Sequence, residues 1–469
     1  MDQNQKMDKN KIIAYTIGLV LLIELIDGSA LNTALPQIAN DLHVNAITLK
    51  VAITVYLLAL GLFIPASGWI SDKIGSKNLL IASITGFMLS SIACGLSTNL
   101  ISLVIFRAIQ GAFGAFTAPV ARLAMVRIYK NDVITAMSIV AVIATLGPML
   151  GPLFGGAITT HIGWRMIFFI NFPIGVIAIT FIYIYLPNIA SSSLQKFDLK
   201  GFIIIGTSIA LMMFFIDLMV DTQILPHIKW LLLIFSFILF SVYTRHALRL
   251  KDNAVINLTI FNNSCFRYFT IISSASRLLI MGTSFIFPLY LQTKQGFSAF
   301  ESGLSLMCFL IPAWLAKKVV KRVLAKLHFY KFFIICLCLM ATTYLGIGWV
   351  FIHFNLLVFA ILLSILGFCF GMFTMISNAG IYNSIQNDTY MSAATVINSS
   401  IIQLTNAFAI SWAGIVLATF SGIRHIDFNS IISFSAFAAV QFIYSIGLLV
   451  VLFYVIFYKP DNLNSVSIS

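Results

Sequence analysis

Two carboxylates lie close together in a strongly apolar stretch near the start of the chain. Glu24 and Asp27 are three residues apart, so they share one face of a predicted helix. Carboxylates that are removed from water and placed side by side resist double ionisation, so at least one would bind a proton near neutral pH. Such a pair suits a carrier whose site alternates between neutral and anionic. A structural pair bonded to Arg or Asn is the alternative. Asn32, in the same stretch, is a candidate proton-coupling or substrate residue together with the two carboxylates.

Two arginines are also predicted to lie inside apolar runs. A charge at membrane depth costs about 2.5–3.5 kcal/mol on insertion scales, so Arg107 and Arg277 must face the protein interior. Arg107 is expected to have a partner there, and a structural arginine bonded to backbone carbonyls is the alternative to a functional one. Arg277 is expected either to neutralise a carboxylate of the first half of the chain or to bind an anionic group of a substrate.

The composition excludes a soluble protein. Of the 469 residues, 60% are hydrophobic and 9% are charged, and the mean hydropathy is +1.00. Soluble proteins have roughly 45–50% apolar and about 25% charged residues. The net charge of +13 fits basic cytoplasmic loops, so no nucleic-acid partner is expected. An enzyme is the least expected class, because no nucleophile–base pair and no metal-ligand spacing appears among the six cysteines and seven histidines.

Apolar runs between polar segments predict about fourteen membrane-spanning helices. The predicted spans are Ile12–Leu35, Ile47–Ile70, Leu79–Leu96, Ile101–Val126, Ile134–Ile158, Met166–Leu186, Leu199–Met219, Trp230–Thr244, Phe269–Leu291, Gly303–Ala316, Phe329–Ile352, Leu356–Ile381, Val396–Phe420 and Ile431–Phe457. With this count, most basic residues fall on the side of the N-terminus, which predicts that both termini are cytoplasmic. The tenth span is short and is expected either to start earlier or to continue through the basic stretch that follows it.

A faint internal repeat supports a division into similar halves. The second helix ends in Phe63–Ala66 and the tenth contains Leu310–Ala313, each as an apolar pair followed by Pro-Ala and then a basic stretch. Transporters built from two similar bundles show such repeats. We therefore predict an N-terminal six-helix bundle over 1–190, cytoplasmic loops with two inserted central helices over 191–262, and a C-terminal six-helix bundle over 263–469.

The loop after the second helix carries the most specific motif. It runs Gly68-Trp69-Ile70-Ser71-Asp72-Lys73-Ile74-Gly75-Ser76-Lys77. Gly68 is expected to allow close approach of two helices, Asp72 to pair with a cation or a helix N-terminus, and Gly75 to free the turn. With Lys73 and Lys77, these residues predict a gating contact that holds one face of the protein shut. The corresponding basic stretch of the second half has no Asp.

The fifth helix carries a second motif, rich in glycine and proline. Its members are Gly147, Pro148, Gly151, Pro152, Gly155 and Gly156. Glycines four residues apart form a smooth face for tight helix packing, and prolines bend the helix.

Together these stretches resemble the major facilitator superfamily. The gating loop matches G-x-x-x-D-(R/K)-x-G-(R/K)-(R/K) except at the ninth position, where Ser76 replaces a basic residue. Phe106–Gly111 resembles the R-x-x-Q-G element, and Asp27–Pro36 resembles D-x-x-x-x-N-x-A-L-P of fourteen-helix drug:proton antiporters. The fifth helix resembles the G-P-x-x-G-P-x-x-G-G motif of the export branch. Trp164–Gly175 resembles the W-R-x-x-F-x-I-N-x-P-x-G element of the EmrB/QacA-type branch.

The resemblance implies an all-α polytopic membrane protein with the major facilitator fold, in which two six-helix bundles and two central helices alternate access. It implies antiport, with proton influx driving multidrug efflux of small amphipathic compounds and Arg107 assisting proton transfer. No cofactor is expected, since the proton gradient supplies the energy. The expected partners are a small-molecule substrate, protons and the lipid bilayer, and a periplasmic adaptor is compatible with this branch. The expected location is the bacterial inner (cytoplasmic) membrane.

Three alternatives remain open. The first is an exporter dedicated to one metabolite, such as a siderophore or organic acid. Arg277 would then matter more than the carboxylates. An importer on the same fold is a second alternative, against which the fifth-helix motif argues. A receptor or scaffold without transport activity is the third, and it has no need of charges at membrane depth.

Overall fold

The regular elements of the chain are helices. The computed structural model describes residues 3–128, 133–188, 197–219, 226–324, 329–385, 388–421 and 434–458, and within these ranges it contains no strand. The α-helices are α1 Gln3–Asp41, α2 Ala46–Phe63, α3 Ser67–Ile74, α4 Ser76–Gly95, α5 Leu100–Gly114, α6 Thr117–Ile128, α7 Val133–His161, α8 Arg165–Phe169, α9 Asn171–Tyr185, α10 Leu199–Leu218, α11 Pro226–Leu250, α12 Ser264–Met281, α13 Thr283–Lys294, α14 Ala299–Leu324, α15 Phe329–Ile352, α16 Leu356–Asn383, α17 Asp388–Ser421 and α18 Phe434–Phe457.

The described residues include 13 helical stretches long and apolar enough to cross a membrane. The 29-residue helix α7 overlaps the predicted fifth span and also exceeds the roughly 20 residues that a crossing requires. Each of the predicted spans therefore overlaps a helical region. The chain is a multi-pass membrane protein, and the predicted all-α fold class is confirmed.

Several helical regions differ from the predicted spans in their detail. The fourth span divides into α5 and α6, and the ninth divides into α12 and α13 with Gly282 between them. The tenth is longer than predicted, because α14 begins at Ala299 and continues through the basic stretch to Leu324. That stretch contains no Gly or Pro that would end a helix, which explains the extension.

The chain forms two compact units. The first comprises Met1–Asp198 with Phe297–Gly303, and the second comprises Leu199–Gly296 with Leu304–Ser469. The inserted helices α10 and α11 therefore group with the second unit. The three-part division at residues 190 and 262 stays a prediction about how the bundles work.

Helix α1 is the central helix of the first unit. Its most extensive contact is with α7, and it also packs on α9. The buried cluster beside it contains Ile17 and Leu21 of α1, Ile84 of α4, Ala124 of α6 and Ile182 of α9. Because several helices pack around α1, its polar residues are directed into a shared interior.

In the second unit, two serines bind the inserted helices to each other. Ser208 Oγ of α10 donates to Ser236 O of α11 at 2.8 Å, and Ser236 Oγ donates to Ser208 O at 2.8 Å. Both serines are buried. Helix α10 is also bound to α17, where Ser411 Oγ donates to Asp217 Oδ1 at 2.8 Å. The inserted pair is thus both joined internally and attached to its unit.

Candidate functional site

Asp27 lies at the centre of a buried hydrogen-bond network in the first unit. Its Oδ2 accepts from Arg107 Nη1 at 2.7 Å, and its Oδ1 accepts from Asn171 Nδ2 at 2.7 Å and Gln110 Nε2 at 3.2 Å. Asp27 is only 2% exposed, and the Arg107 side chain is fully buried. Because Asp27 lies on α1, Arg107 and Gln110 on α5 and Asn171 on α9, one carboxylate joins three helices.

Arg107 has several partners besides the carboxylate. Its Nη1 also donates to Gln110 Oε1 at 2.7 Å, and its Nε donates to Ala52 O at 3.4 Å. The Tyr56 ring lies 4.0 Å from Arg107 Cζ, a cation–π contact. The predicted interior partner of Arg107 is therefore Asp27. Removing one member of such a buried pair typically costs about 3–5 kcal/mol, because the other charge remains buried.

Asn171 links the carboxylate to the backbone of the preceding helix. Its Nδ2 donates to Ser91 Oγ at 2.9 Å as well as to Asp27, and Ser91 Oγ donates to Phe168 O at 2.8 Å. Asn171 is the first residue of α9 and is 1% exposed. The two N–H groups of its amide are thus used by two acceptors in the protein interior.

Glu24 lies three residues before Asp27 on α1. It is half-buried and lines a cavity of about 20 Å³ together with Asn171, Thr117 and apolar side chains. A cavity of this size with polar walls has room for about one water molecule. Asn171 therefore borders both carboxylates, bonding to one and lining a polar cavity beside the other.

Asn32 is not part of this network. It is 7% exposed, and its Oδ1 has no hydrogen-bond partner among the described residues. The structure thus brings Asp27 and Arg107 together, and Glu24 near them, but it leaves Asn32 apart.

The glycine face of α7 packs directly on α1 beside Asp27. A Cβ on Gly147 would lie 2.5 Å from the Leu25 Cβ. A Cβ on Gly151 would collide with Ser29, and one on Gly155 would collide with the backbone of Ala30. Only glycine allows this approach, so the motif fixes the position of the helix that carries Asp27.

Two further members of that motif, Gly156 and Pro152, pack on the first residues of α14. A Cβ on Gly156 would collide with the backbone of Ala299, and a Cβ on Gly303 would collide with the backbone of Pro152. Both contacts lie within the first unit. The side chain of Pro148 lies outside the described residues. So do the basic side chains that follow the tenth span, Lys317, Lys318, Lys321 and Arg322.

Gly75 makes the turn in the predicted gating loop. Its φ of 91° is in the region that favours glycine, and a Cβ there would collide with Asn188. Asn188 Nδ2 donates to Ile74 O at 3.3 Å, and Lys77 Nζ donates to Tyr183 O at 2.6 Å. The loop between α3 and α4 is therefore held by the end of α9 and the residues after it.

Ser76 accounts for the departure of this loop from the family pattern. Its side chain is fully buried, and its Oγ lies 3.1 Å from Ser71 Oγ in a hydrogen bond. A lysine or arginine at this position would have to leave that site to reach solvent.

The other gating residues lie in or beside α3. Asp72 is half-buried and Lys73 is exposed, with Lys73 Nζ 4.9 Å from the Trp69 ring centroid. The close helix approach predicted at Gly68 is not seen, because a Cβ there would meet nothing within 4 Å among the described residues. Gly68 is itself half-buried, so in this conformation its missing side chain leaves open space.

Arg277 lies on α12 in the second unit, and no described acidic side chain pairs with it. It is half-buried, and no described residue forms an ion pair or hydrogen bond with it. It contacts Phe370 of α16, whose ring centroid lies 6.0 Å from Arg277 Cζ.

Sequence reasoning missed Gln110, Asn171, Ser91 and Tyr56. Gln110 and Asn171 are the polar positions of the R-x-x-Q-G and W-R-x-x-F-x-I-N stretches, so an Asn or Gln at membrane depth in a motif was the available signal. No pattern in the sequence distinguished Ser91 or Tyr56. A metal centre has no support among the described residues, where no three His, Cys, Asp or Glu side chains gather.

Comparison with known proteins identifies similar chains over nearly the whole length. Residues 17–410 match the family model described as the Major Facilitator Superfamily. A probable transport protein HsrA of Haemophilus influenzae is 32% identical over 338 residues, which cover 72% of this chain and 73% of that protein. A putative multidrug resistance protein MdtD of Salmonella heidelberg is 29% identical over 434 residues, covering 90% of this chain and 89% of that protein.

Solved structures show the same fold at low identity. The crystal structure of the nucleoside transporter NupG has a TM-score of 0.60 at 13% identity and covers 97% of this chain and 100% of that one. An auto-inhibited peptide transporter of the POT family has a TM-score of 0.65 at 12% identity, covering 96% of this chain and 99% of that one.

Proposed function

The chain belongs to the Major Facilitator Superfamily, and we propose that it is a proton-coupled antiporter that exports small amphipathic compounds or drugs from the cytoplasm. The observation that carries the proposal is the buried pair of Asp27 and Arg107, whose atoms are 2.7 Å apart in the interior of the first unit. The names of the relatives HsrA and MdtD support transport and multidrug efflux respectively. In this proposal the protein lies in a bacterial inner membrane with both termini in the cytoplasm.

Protonation of Asp27 is the proposed coupling step. In its charged form the carboxylate holds Arg107, Gln110 and Asn171, and thereby α1, α5 and α9. A proton on Asp27 removes the charge that attracts the guanidinium and occupies an oxygen that accepts these bonds. The three helices then lose a shared acceptor, so the proton changes the relative stability of the two access states.

Glu24 is the proposed neighbour in proton transfer. A water molecule in the cavity that Glu24 and Asn171 line would lie beside the Asp27 network. Protons arriving from outside would reach Asp27 or Glu24, promote substrate release and reset the carrier.

The energy available is sufficient without a nucleotide or other cofactor. A proton moving through 100 mV releases about 2.3 kcal/mol. Since 1.4 kcal/mol is tenfold in concentration, one proton supports a substrate gradient of roughly forty- to fifty-fold. The gating loop from Gly68 to Lys77 would hold one face closed while the other is open.

Substrate-induced proton movement in everted membrane vesicles tests the proposal. A pH-sensitive dye would report proton release when cationic, neutral or anionic compounds are added to vesicles that contain the protein. We expect Asp27→Asn to abolish the response. The matched control is Asp41→Asn, because Asp41 lies at the end of the same helix but is solvent-exposed and paired only with Arg165 and Trp164. A normal response from Asp27→Asn, with Asp41→Asn also normal, would exclude the proposed coupling.

The same panel separates the alternatives. Responses to many unrelated compounds indicate multidrug efflux, whereas a response to a single metabolite indicates a dedicated exporter. Accumulation of substrate in right-side-out vesicles driven by an inward proton gradient would indicate an importer instead. Silence across the panel, with the protein shown to be present, would favour a role without transport.

A further inference from the structure

Arg277 carries a charge that the described part of the second unit does not neutralise. The one described acidic side chain of that unit is Asp217 on α10, which accepts a hydrogen bond from Ser411 of α17. Arg277 Nε is buried and has no hydrogen-bond partner. A buried charge without a partner is costly, so a group that offsets this cost would bind favourably.

Unused hydrogen-bonding atoms occur on the same helix and on the helices that pack against it. They are Thr270 Oγ1 and Ser276 Oγ on α12, Asn378 Oδ1 on α16, and Ser400 Oγ and Asn406 Oδ1 on α17. Helices α16 and α17 both pack on α12. Buried polar atoms in native proteins usually have partners, so a cluster of atoms without them is suited to binding a polar ligand.

An aromatic surface lies next to the guanidinium. The Phe370 ring is 6.0 Å from Arg277 Cζ, and it stacks on Phe309 of α14 with centroids 5.9 Å apart and an interplanar angle of 27°. Both rings are nearly buried. An apolar body can pack on this surface while its charged end reaches the guanidinium.

We infer that Arg277 binds the anionic group of an amphipathic organic acid, whose apolar part packs on Phe370 and Phe309. This inference rests on the proposed transport function and narrows its substrates to compounds with a carboxylate or similar group. Arginine suits the task, because its planar guanidinium donates two parallel hydrogen bonds to a carboxylate. The aromatic surface favours an organic anion, because an inorganic anion has no apolar part that could pack on it.

Equilibrium binding to the full-length chain in lipid nanodiscs tests the inference. The probes are 2-naphthoate and octanoate, each compared with its uncharged amide. We expect the wild type to bind the carboxylates more tightly than the amides. Since a hydrogen bond to a charged group contributes about 1.5–3 kcal/mol, Arg277→Gln should weaken carboxylate binding roughly 10- to 100-fold and leave amide binding unchanged. Arg277→Lys keeps the charge but loses the paired donors, so it should retain part of the preference.

Arg267→Gln is the matched control. Arg267 lies on the same helix but is exposed, and it donates only to Phe261 O at 3.3 Å. This variant should bind all four probes like the wild type. The melting temperature of the ligand-free protein adds a second measurement: Arg277→Gln should raise it, since an unpartnered charge is removed, whereas loss of a structural residue would lower it.

Three results would overturn the inference. The first is that the wild type binds carboxylates and amides equally, or binds neither. The second is that Arg277→Gln keeps the full preference for carboxylates. The third is that chloride alone binds in a way that depends on Arg277. In each case proton-coupled export of neutral or cationic compounds would still stand if Asp27→Asn abolishes it. Failure of that export would instead contradict the proposed function.

Discussion

Arg107 of the first unit and Arg277 of the second are both arginines within apolar helices, but their surroundings differ. Arg107 donates to Asp27 at 2.7 Å and also contacts Gln110, Ala52 and Tyr56. Arg277 has the Phe370 ring at 6.0 Å and no acidic partner among the described residues. An arginine whose hydrogen bonds and charge are satisfied by the protein needs no ligand. An arginine without such partners gains them only by binding a ligand. In the functions proposed above, the first unit would hold the proton and the second would receive the substrate.

The packing of the two units is more alike than their charges. In the first unit Gly155 of α7 lies against the backbone of Ala30, and in the second Gly371 of α16 lies against the backbone of Ala313 on α14. Both contacts exist because a glycine removes the Cβ that would separate the helices. Similar helix packing therefore supports two different polar interiors.

The largest expected effect on stability comes from removing Arg107, and the matched change at Arg277 should act in the opposite direction. Arg107→Gln should lower the free energy of unfolding by about 3–5 kcal/mol, because Asp27 remains buried without its counter-ion. Arg277→Gln should instead raise stability slightly. Thermal unfolding of both variants in the same detergent measures the difference, and Asp27→Asn combined with Arg107→Gln should regain most of the loss. Equal losses for the two arginines would remove the distinction between the units.

The glycine contacts come next. Gly155→Val and Gly371→Val should each lose about 1–3 kcal/mol, because the new side chain collides with backbone that cannot easily move. Gly206→Val on α10 is the control, since a Cβ there meets nothing within 4 Å. Unfolding in detergent measures all three. If one of the two tight glycines tolerates valine and the other does not, the packing of the units is less alike than the structure indicates.

Asn171 should show an effect of similar size that is specific to the first unit. Asn171→Leu removes the donor to Asp27 Oδ1 and to Ser91 Oγ, at a cost of about 1–3 kcal/mol, while Arg107 and Gln110 still hold the carboxylate. Proton-coupled transport in vesicles should fall but remain measurable. Thr180→Val, an exposed position on the same helix, should have no effect. Unchanged transport by Asn171→Leu would show that the amide does not position Asp27.

The gating loop gives the smallest effect. Ser76→Lys restores the basic residue of the family pattern, but it removes the buried bond to Ser71 and should cost about 0.5–1.5 kcal/mol. Asn78→Lys places the same charge at an exposed neighbouring position and loses only an exposed hydrogen bond to Ile74 O, so it should cost less. Melting temperatures of the two variants provide the test. A stabilising Ser76→Lys would mean that the burial of this serine is not needed.

The fold was predictable from the sequence because the lipid environment demands long apolar runs, and these appear directly in the order of residues. The family prediction is confirmed for the same reason, since its motifs are local. The pairing of Asp27 with Arg107 was only half predictable: the cost of a buried charge requires a partner for Arg107, but which helix supplies it depends on packing. Asn171 and Ser91 are still less visible, because an uncharged amide or hydroxyl in an apolar run costs less than a charge and does not show which helix supplies its partner. The open space at Gly68 shows that even a motif glycine does not reveal which conformation uses it.

The reciprocal bonds between Ser208 and Ser236 have a consequence for how the chain is made. Because each serine uses the other helix's carbonyl, α10 and α11 satisfy these polar groups without any later part of the chain. The hairpin can therefore satisfy these two serines on entering the bilayer, before the helices that follow it have packed. The paired helices would then offer a preformed surface on which the later helices of the second unit pack.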